Sequence, residues 1–244
     1  MEKDKENIQA ENPLGTAPVG GLIRKFAIPA IISMLVSAMY NIVDQIFIGQ
    51  GVGMLGNAAT NVAFPVTTIA TAMALLLGIG GASNYNLEMG AGQEKKASGI
   101  AGTALSSLAI SGAVLCVIVV LFLKPLLTLF GATKDVMPYA VDYTGITALG
   151  LPFYILSVGG NHVVRADRSP TYSMACVTAG AVINTILDPL FIFGFGWGIK
   201  GAAWATVIGQ VVSGILVVVY FWKFRKMYLE KSMLKPRLHY LKAI

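Results

Sequence analysis

This sequence has little charge. Only 12% of its 244 residues are Asp, Glu, Lys or Arg, against 55% hydrophobic residues, and its mean hydropathy is +0.70. Soluble domains carry roughly 25% charged residues, so a water-covered globule is excluded. Cysteine is also scarce. Cys116 and Cys176 form no CxxC pair, which excludes a disulfide scaffold and a thiolate zinc site. Both fall in apolar runs, where a thiol serves as a small apolar side chain. With two histidines and no HExxH, GxSxG or GxGD pattern, an enzyme is not expected. The loop Met89–Gly99, MGAGQEKKASG, lacks the GxxxxGK[ST] spacing of a phosphate cradle. The start of the chain is polar and has no apolar core before a small-residue cleavage site, so no cleavable signal peptide is expected.

What is present is long apolar runs. Phe26–Leu87, Ala97–Leu123, Tyr143–Asn161, Ser169–Ile199 and Gly201–Trp222 contain no Lys, Arg, Glu or His. A helix needs about 20 apolar residues to cross the hydrocarbon core, and the first run is long enough for two crossings. The expected spans are 22–48, 58–85, 100–123, 138–164, 171–193 and 202–222. Gly49–Asn57 is expected to be a glycine-rich turn, and the small-residue cluster Gly78–Ser83 a close helix contact. The fold class is therefore an all-α integral membrane bundle of six transmembrane helices. Residues 1–20 are expected as a cytoplasmic tail, 21–228 as the six-helix membrane lobe, and 229–244 as a basic cytoplasmic tail, able to lie on the membrane as an amphipathic helix, or as the start of an inter-lobe linker.

The basic residues set an orientation, because Lys and Arg accumulate in short cytoplasmic loops. With both ends inside, the inner set is Lys3, Lys5, Arg24, Lys25, Lys95, Lys96, Arg165, Arg168 and the seven from Lys223 to Lys242; the outer set is Lys124, Lys134 and Lys200. The net charge of +6 is thus read as topology and not as nucleic-acid binding. A multi-pass protein of the plasma or inner membrane, with both termini cytoplasmic, is expected.

Two acids stand out because they fall inside the runs: Asp44 in NIVDQIFIG and Asp188 in NTILDPLFIF. A carboxylate at that depth is expensive unless it is paired or lines a wet cavity, so it points to function. Each lies twenty residues beyond an inner arginine, Arg24 and Arg168, so both reach the same depth in the outer half. Asn184, one turn before Asp188, shares its helix face. Tyr143, Ala202 and Thr206 lie at similar depth. Two carboxylates brought together in a low dielectric cannot both ionise cheaply, so such a pair would exchange a proton at physiological pH. The same oxygens, with Asn184, the Thr206 hydroxyl and a backbone carbonyl, suit a hard cation such as sodium. Proton and sodium both remain open. His162, beside Arg165 at a helix end, reads as an interfacial polar residue before a proton relay.

The segments NIVDQIFIG, MGAGQEKKA, ALGLPF and NTILDPLFIFGFGWGIKGAAWAT resemble the amino-terminal half of the multidrug and toxic compound extrusion family, from about Leu22 to about Tyr228. The resemblance implies one lobe of a twelve-helix secondary transporter that exports cationic, amphipathic compounds against a sodium or proton gradient, with no other cofactor. It matches Asp44, Asn184 and Asp188 to the family's ion-coupling residues, Ala202 through its carbonyl and Thr206 through its hydroxyl to sixth-helix cation contacts, and Tyr143 to a fourth-helix tyrosine. Pro29 falls at the first-helix proline around which bending is proposed.

Family members usually have twelve spans, so the expected partners are small cationic molecules, the bilayer, and either a missing C-terminal lobe or a second copy in a parallel homodimer. Two alternatives stand beside efflux. One is a transport-incompetent fragment or structural lobe that needs a second half. The other is a lipid-linked precursor flippase of the same superfamily, whose pyrophosphate would want basic residues that these spans lack.

Overall fold

The computed structural model describes residues 18–228, 231–234 and 236–241. Most of the expected amino-terminal tail, 1–17, and parts of the basic tail, 229–230, 235 and 242–244, lie outside the described residues. The described chain folds into six long helices: α1 (Val19–Gly51), α2 (Met54–Gly90), α3 (Glu94–Leu121), α4 (Met137–Ala166), α5 (Pro170–Pro189) and α6 (Ile199–Val219). One wide π-type turn extends α5 through Leu190–Gly194 and another extends α6 through Tyr220–Phe224. A short helix, Leu123–Leu129, links α3 to α4. All six long helices are long and apolar enough to cross a membrane.

The helices overrun the expected spans. The turn expected at Gly49–Asn57 contracts to Val52 and Gly53, with Gly53 at φ 88°, and the loop expected at Met89–Gly99 contracts to Ala91–Gln93. Backbone N–H and C=O groups near lipid must be satisfied within the segment, so the helix continues as far as it can and one left-handed glycine closes the turn. Asp142, near the upper end of α4, pairs with Lys200 of α6 at 3.4 Å. The described parts of the basic tail are a 3-10 turn, Lys231–Leu234, and a one-turn helix, Leu238–Leu241, both lying against α3. Ser106 Oγ donates to the Leu234 carbonyl, and the Tyr240 ring fills the notch beside Gly99.

Helix α4 is the centre of the bundle, packed against α2, α3 and α6, while α1 rests chiefly on α5. Lipid tails are as apolar as leucine, so helices associate through close packing and not through expulsion of water. The contacts reflect that. A Cβ at Gly78 of α2 would lie 2.5 Å from Gly159 Cα of α4, and one at Gly180 of α5 would lie 2.7 Å from the Gly209 carbonyl of α6. The expected small-residue contact at Gly78–Ser83 is thus a backbone approach. Cys116 is half-buried and Cys176 buried, both as free thiols.

Alternating turns give the bundle two ends. The upper end carries the connections at 52–53, 122–136 and 195–198, with Lys124, Lys134 and Lys200. The lower end carries 91–93 and 167–169, with Arg24, Lys25, Lys95, Lys96, Arg165, Arg168, Lys223, Arg225 and Lys226.

Candidate functional site

Asp44 lies seven residues before the upper end of α1, and Asp188 six residues before the upper end of the extended α5, about 10 Å inside in each case. Because α1 packs along α5, the two carboxyl groups meet within hydrogen-bonding reach of one another. Both are buried: Asp44 is 6% exposed and Asp188 0%. Gln45 Nε2 donates to Asp44 Oδ2 at 3.2 Å, while Asp44 Oδ1 is buried with no hydrogen-bond partner among the described residues. The only ion pairs among the described residues are Glu88–Lys96 and Asp142–Lys200, so no lysine or arginine neutralises the acid pair. Two carboxylates facing each other in this way favour a state in which one proton or one small cation lies between them.

The amide of Asn184, 3% exposed, completes one side. With its nitrogen toward Asp188 Oδ2 at 3.3 Å, its oxygen accepts the Thr206 backbone N–H at 3.2 Å, and this orientation satisfies both ends. In an α-helix that N–H is also the partner of the Ala202 carbonyl four residues earlier. Sharing it with Asn184 loosens the claim on Ala202 and leaves that carbonyl with acceptor capacity. The Thr206 side chain faces the Tyr143 hydroxyl from α4. The structure therefore brings together Asp44, Asn184, Asp188, Tyr143, Ala202 and Thr206 from four helices.

Three residues join this cluster that the sequence does not single out. Tyr40, one turn before Asp44, faces both acids; its i to i+4 spacing is a usable signal. Gln45 bridges Asp44 to Thr60 of α2, whose Oγ1 donates to Gln45 Oε1 at 2.9 Å. Thr60 carries no signal, because its part depends on how α2 leans on α1. Pro29 lies fifteen residues below Asp44, buried within an uninterrupted α1, and Ser33 Oγ donates to its carbonyl at 2.7 Å. His162 is nineteen residues down α4 from Tyr143, about 28 Å away, and so takes no part in the cluster.

A third buried acid lies at the lower end. Asp167, in the α4–α5 connection, is 0% exposed, and its Oδ2 accepts the Tyr220 hydroxyl at 2.7 Å and the Lys226 backbone N–H at 2.7 Å. Burial pushes its carboxyl above the usual carboxylate range, opposed by the Lys226 N–H, the Tyr220 hydroxyl and the charges of Arg168 and Lys226. Next to it Arg165 donates to Ser173 Oγ at 3.0 Å. From sequence this segment reads only as a charged turn.

The MatE family profile matches residues 29–190 of this chain, from the first-helix proline to just past Asp188. The chain belongs to the MatE family. A protein of Shewanella oneidensis named FAD transporter is 32% identical to it over 212 residues, 84% of this chain and 47% of that protein. The multidrug export protein MepA of Staphylococcus haemolyticus is 29% identical over 196 residues, 80% of this chain and 43% of that protein. Among solved structures, the MATE multidrug transporter DinF-BH, determined as a ligand complex, superposes with a TM-score of 0.84 and 38% identity, over 90% of this chain and 50% of that one. The chain thus spans about half the length of these relatives, and its six helices have the architecture of a MatE half.

Proposed function

We propose that this chain is the six-helix lobe that carries the ion-coupling site of a MatE efflux transporter. The observation that carries the reading is that Asp44 and Asp188, buried on two helices, interact with each other directly and that no Lys or Arg among the described residues pairs with either. Proton binding and sodium binding both relieve that repulsion. A proton fits the arrangement as it stands, with the Asn184 nitrogen toward Asp188. Sodium would use both carboxylates, the Ala202 carbonyl and the Thr206 hydroxyl, and would turn the Asn184 oxygen inward. Either event changes which neighbours α1 prefers on α5, and a differential interaction of that kind shifts a two-state equilibrium. Pro29 is the proposed hinge.

The basic lower end is placed in the cytoplasm, following the distribution of Lys and Arg. The proposed substrates are cationic, amphipathic compounds, since Asp44 and Asp188 are the only charged side chains inside the apolar runs and no Lys or Arg lies there. A second lobe, either a C-terminal lobe like that of the family's longer members or a second copy of this one, would form the other wall of the path. The test is dye accumulation in an efflux-deficient bacterial host expressing this chain. The reading expects lower accumulation of a cationic dye, restored to the empty-vector level by Asp44→Asn or Asp188→Asn. FAD tested as a competitor should leave dye export unchanged. Lowered accumulation that survives both substitutions would remove the acids from coupling.

A further inference from the structure

We propose that the pocket between the short helix Leu123–Leu129 and the start of α4 binds the headgroup of a phospholipid of net negative charge, held by Lys124 and Lys134. The inference is independent of the acid pair and rests only on the upper end lying at a bilayer surface.

Its ground is where the lysines gather. Lys and Arg are scarce at the upper end, where Lys124, Lys134 and Lys200 are the three among the described residues. All three converge on one place. A pocket of about 620 Å³ has Lys124, Thr128, Thr133, Lys134, Met137 and Val141 in its wall, together with Asp142, which pairs with Lys200 at 3.4 Å. That volume is in the range of sites that hold small molecules. Neither Lys124 nor Lys134 pairs with an acid among the described residues, and Asp135, next to Lys134, is exposed and outside the lining. With Asp142 offset by Lys200, the pocket keeps two unpaired ammonium groups. Their fields add inside one cleft, so it attracts an anion more strongly than either lysine alone.

The surroundings select an amphiphile. Leu121 and Phe122 at the end of α3, and Leu129 at the end of the short helix, are all exposed beside this pocket. Contiguous apolar surface of that kind suits acyl chains and not water. A cationic mouth beside an apolar flank matches the order of a phospholipid's own parts, and basic pockets of this type take anionic headgroups. The donors are also in place. Thr128 donates its hydroxyl to the Lys124 carbonyl at 2.9 Å, whereas the exposed Thr133 hydroxyl has no side-chain hydrogen bond among the described residues. Phosphate oxygens would accept from Thr133 and from both ammonium groups, which can only donate. A free phosphate would use the same donors and leave the apolar flank uncovered.

The test places a reporter beside the pocket, Leu129→Trp, in a chain whose Trp197, Trp204 and Trp222 are replaced by Phe, reconstituted in phosphatidylcholine vesicles. Quenching by phosphatidylglycerol with brominated acyl chains is compared with quenching by equally brominated phosphatidylcholine at the same mole fraction. The site predicts about twofold stronger quenching by phosphatidylglycerol. Lys124→Gln with Lys134→Gln should make the two lipids equal, and Lys95→Gln with Lys96→Gln, at the lower end, should leave the preference intact. Equal quenching before those substitutions, or a preference that survives the upper pair, overturns the inference. Excess inorganic phosphate, at matched ionic strength, should leave the preference unchanged; its loss would make this a free-phosphate site and overturn the lipid assignment. Native mass spectrometry of the chain with its natural tryptophans reads the same point without the reporter. Less phosphatidylglycerol should be retained by the upper double variant than by the lower one, and equal retention overturns the inference.

Discussion

The bundle buries a carboxyl group at each end of its length, and the two are built differently. At the lower end Asp167 is surrounded by donors and positive charge: the Tyr220 hydroxyl, the Lys226 N–H, Arg168 and the Lys226 ammonium. It joins the α4–α5 connection to the end of α6. In the upper half Asp44 meets another acid and has amides and tyrosines as its other neighbours; a buried Oδ1 without a hydrogen-bond partner is common to Asp44 and Asp167. Burial is common to both, so burial alone does not identify function. The sign of the neighbours does. An acid among donors and cations has partners for one oxygen without any ligand and is expected to act as a staple, whereas an acid facing an acid gains from a bound proton or cation.

The contrast predicts different responses to mutation. The largest effect should be on transport: Asp188→Asn should abolish dye export while leaving the melting temperature of the purified chain at or above wild type, because a buried charge has been removed. Asp167→Ala should do the reverse at the lower end, lowering stability by about 1–3 kcal/mol through two unpaired donors, read in a thermal or denaturant melt. Loss of stability in Asp188→Asn equal to that in Asp167→Ala would make both acids staples and erase the distinction.

A smaller effect concerns pH. Asp167 is held above its ordinary range by burial, so its neutral form is favoured in the fold. Its contribution is fully present below the ordinary carboxylate value and fades as pH rises through the raised one. The permanently neutral Asp167→Asn should therefore flatten the slope of melting temperature against pH across that window, and an unchanged slope would assign it to other groups. The smallest effect is expected at Tyr143→Phe, which removes one hydroxyl facing Thr206. It should shift the apparent affinity for the coupling ion by a fewfold and spare folding, as measured by ion titration of dye export.

The fold is largely legible in the sequence because a membrane imposes it. Six apolar spans, their length and the bias of Lys and Arg are set by hydrocarbon thickness and charge, which act on sequence directly. Helix ends are less legible, since Gly49 and Gly51 look like turn residues yet continue α1, and the polar Glu94–Lys96 form the exposed first turn of α3. At the site, equal depth and i to i+4 spacing point to Asp44, Asn184 and Asp188. Gln45 and Thr60 stay hidden, because adjacency to Asp44 says nothing about which way an amide points, and the partner on α2 follows from helix packing. Asp167 is hidden for a related reason: a DRSP turn reads as solvated until Tyr220 and Lys226 close over it.

The most direct test of the acid pair is proton counting on the purified chain in lipid nanodiscs, comparing wild type with the Asp44→Asn, Asp188→Asn double variant from about pH 9 to 5. Wild type should take up about one more proton per chain over that range, or give up that proton when sodium is added. Coincident uptake curves, unaffected by sodium, would contradict the account and leave Asp44 and Asp188 as two more buried polar groups in a packed bundle.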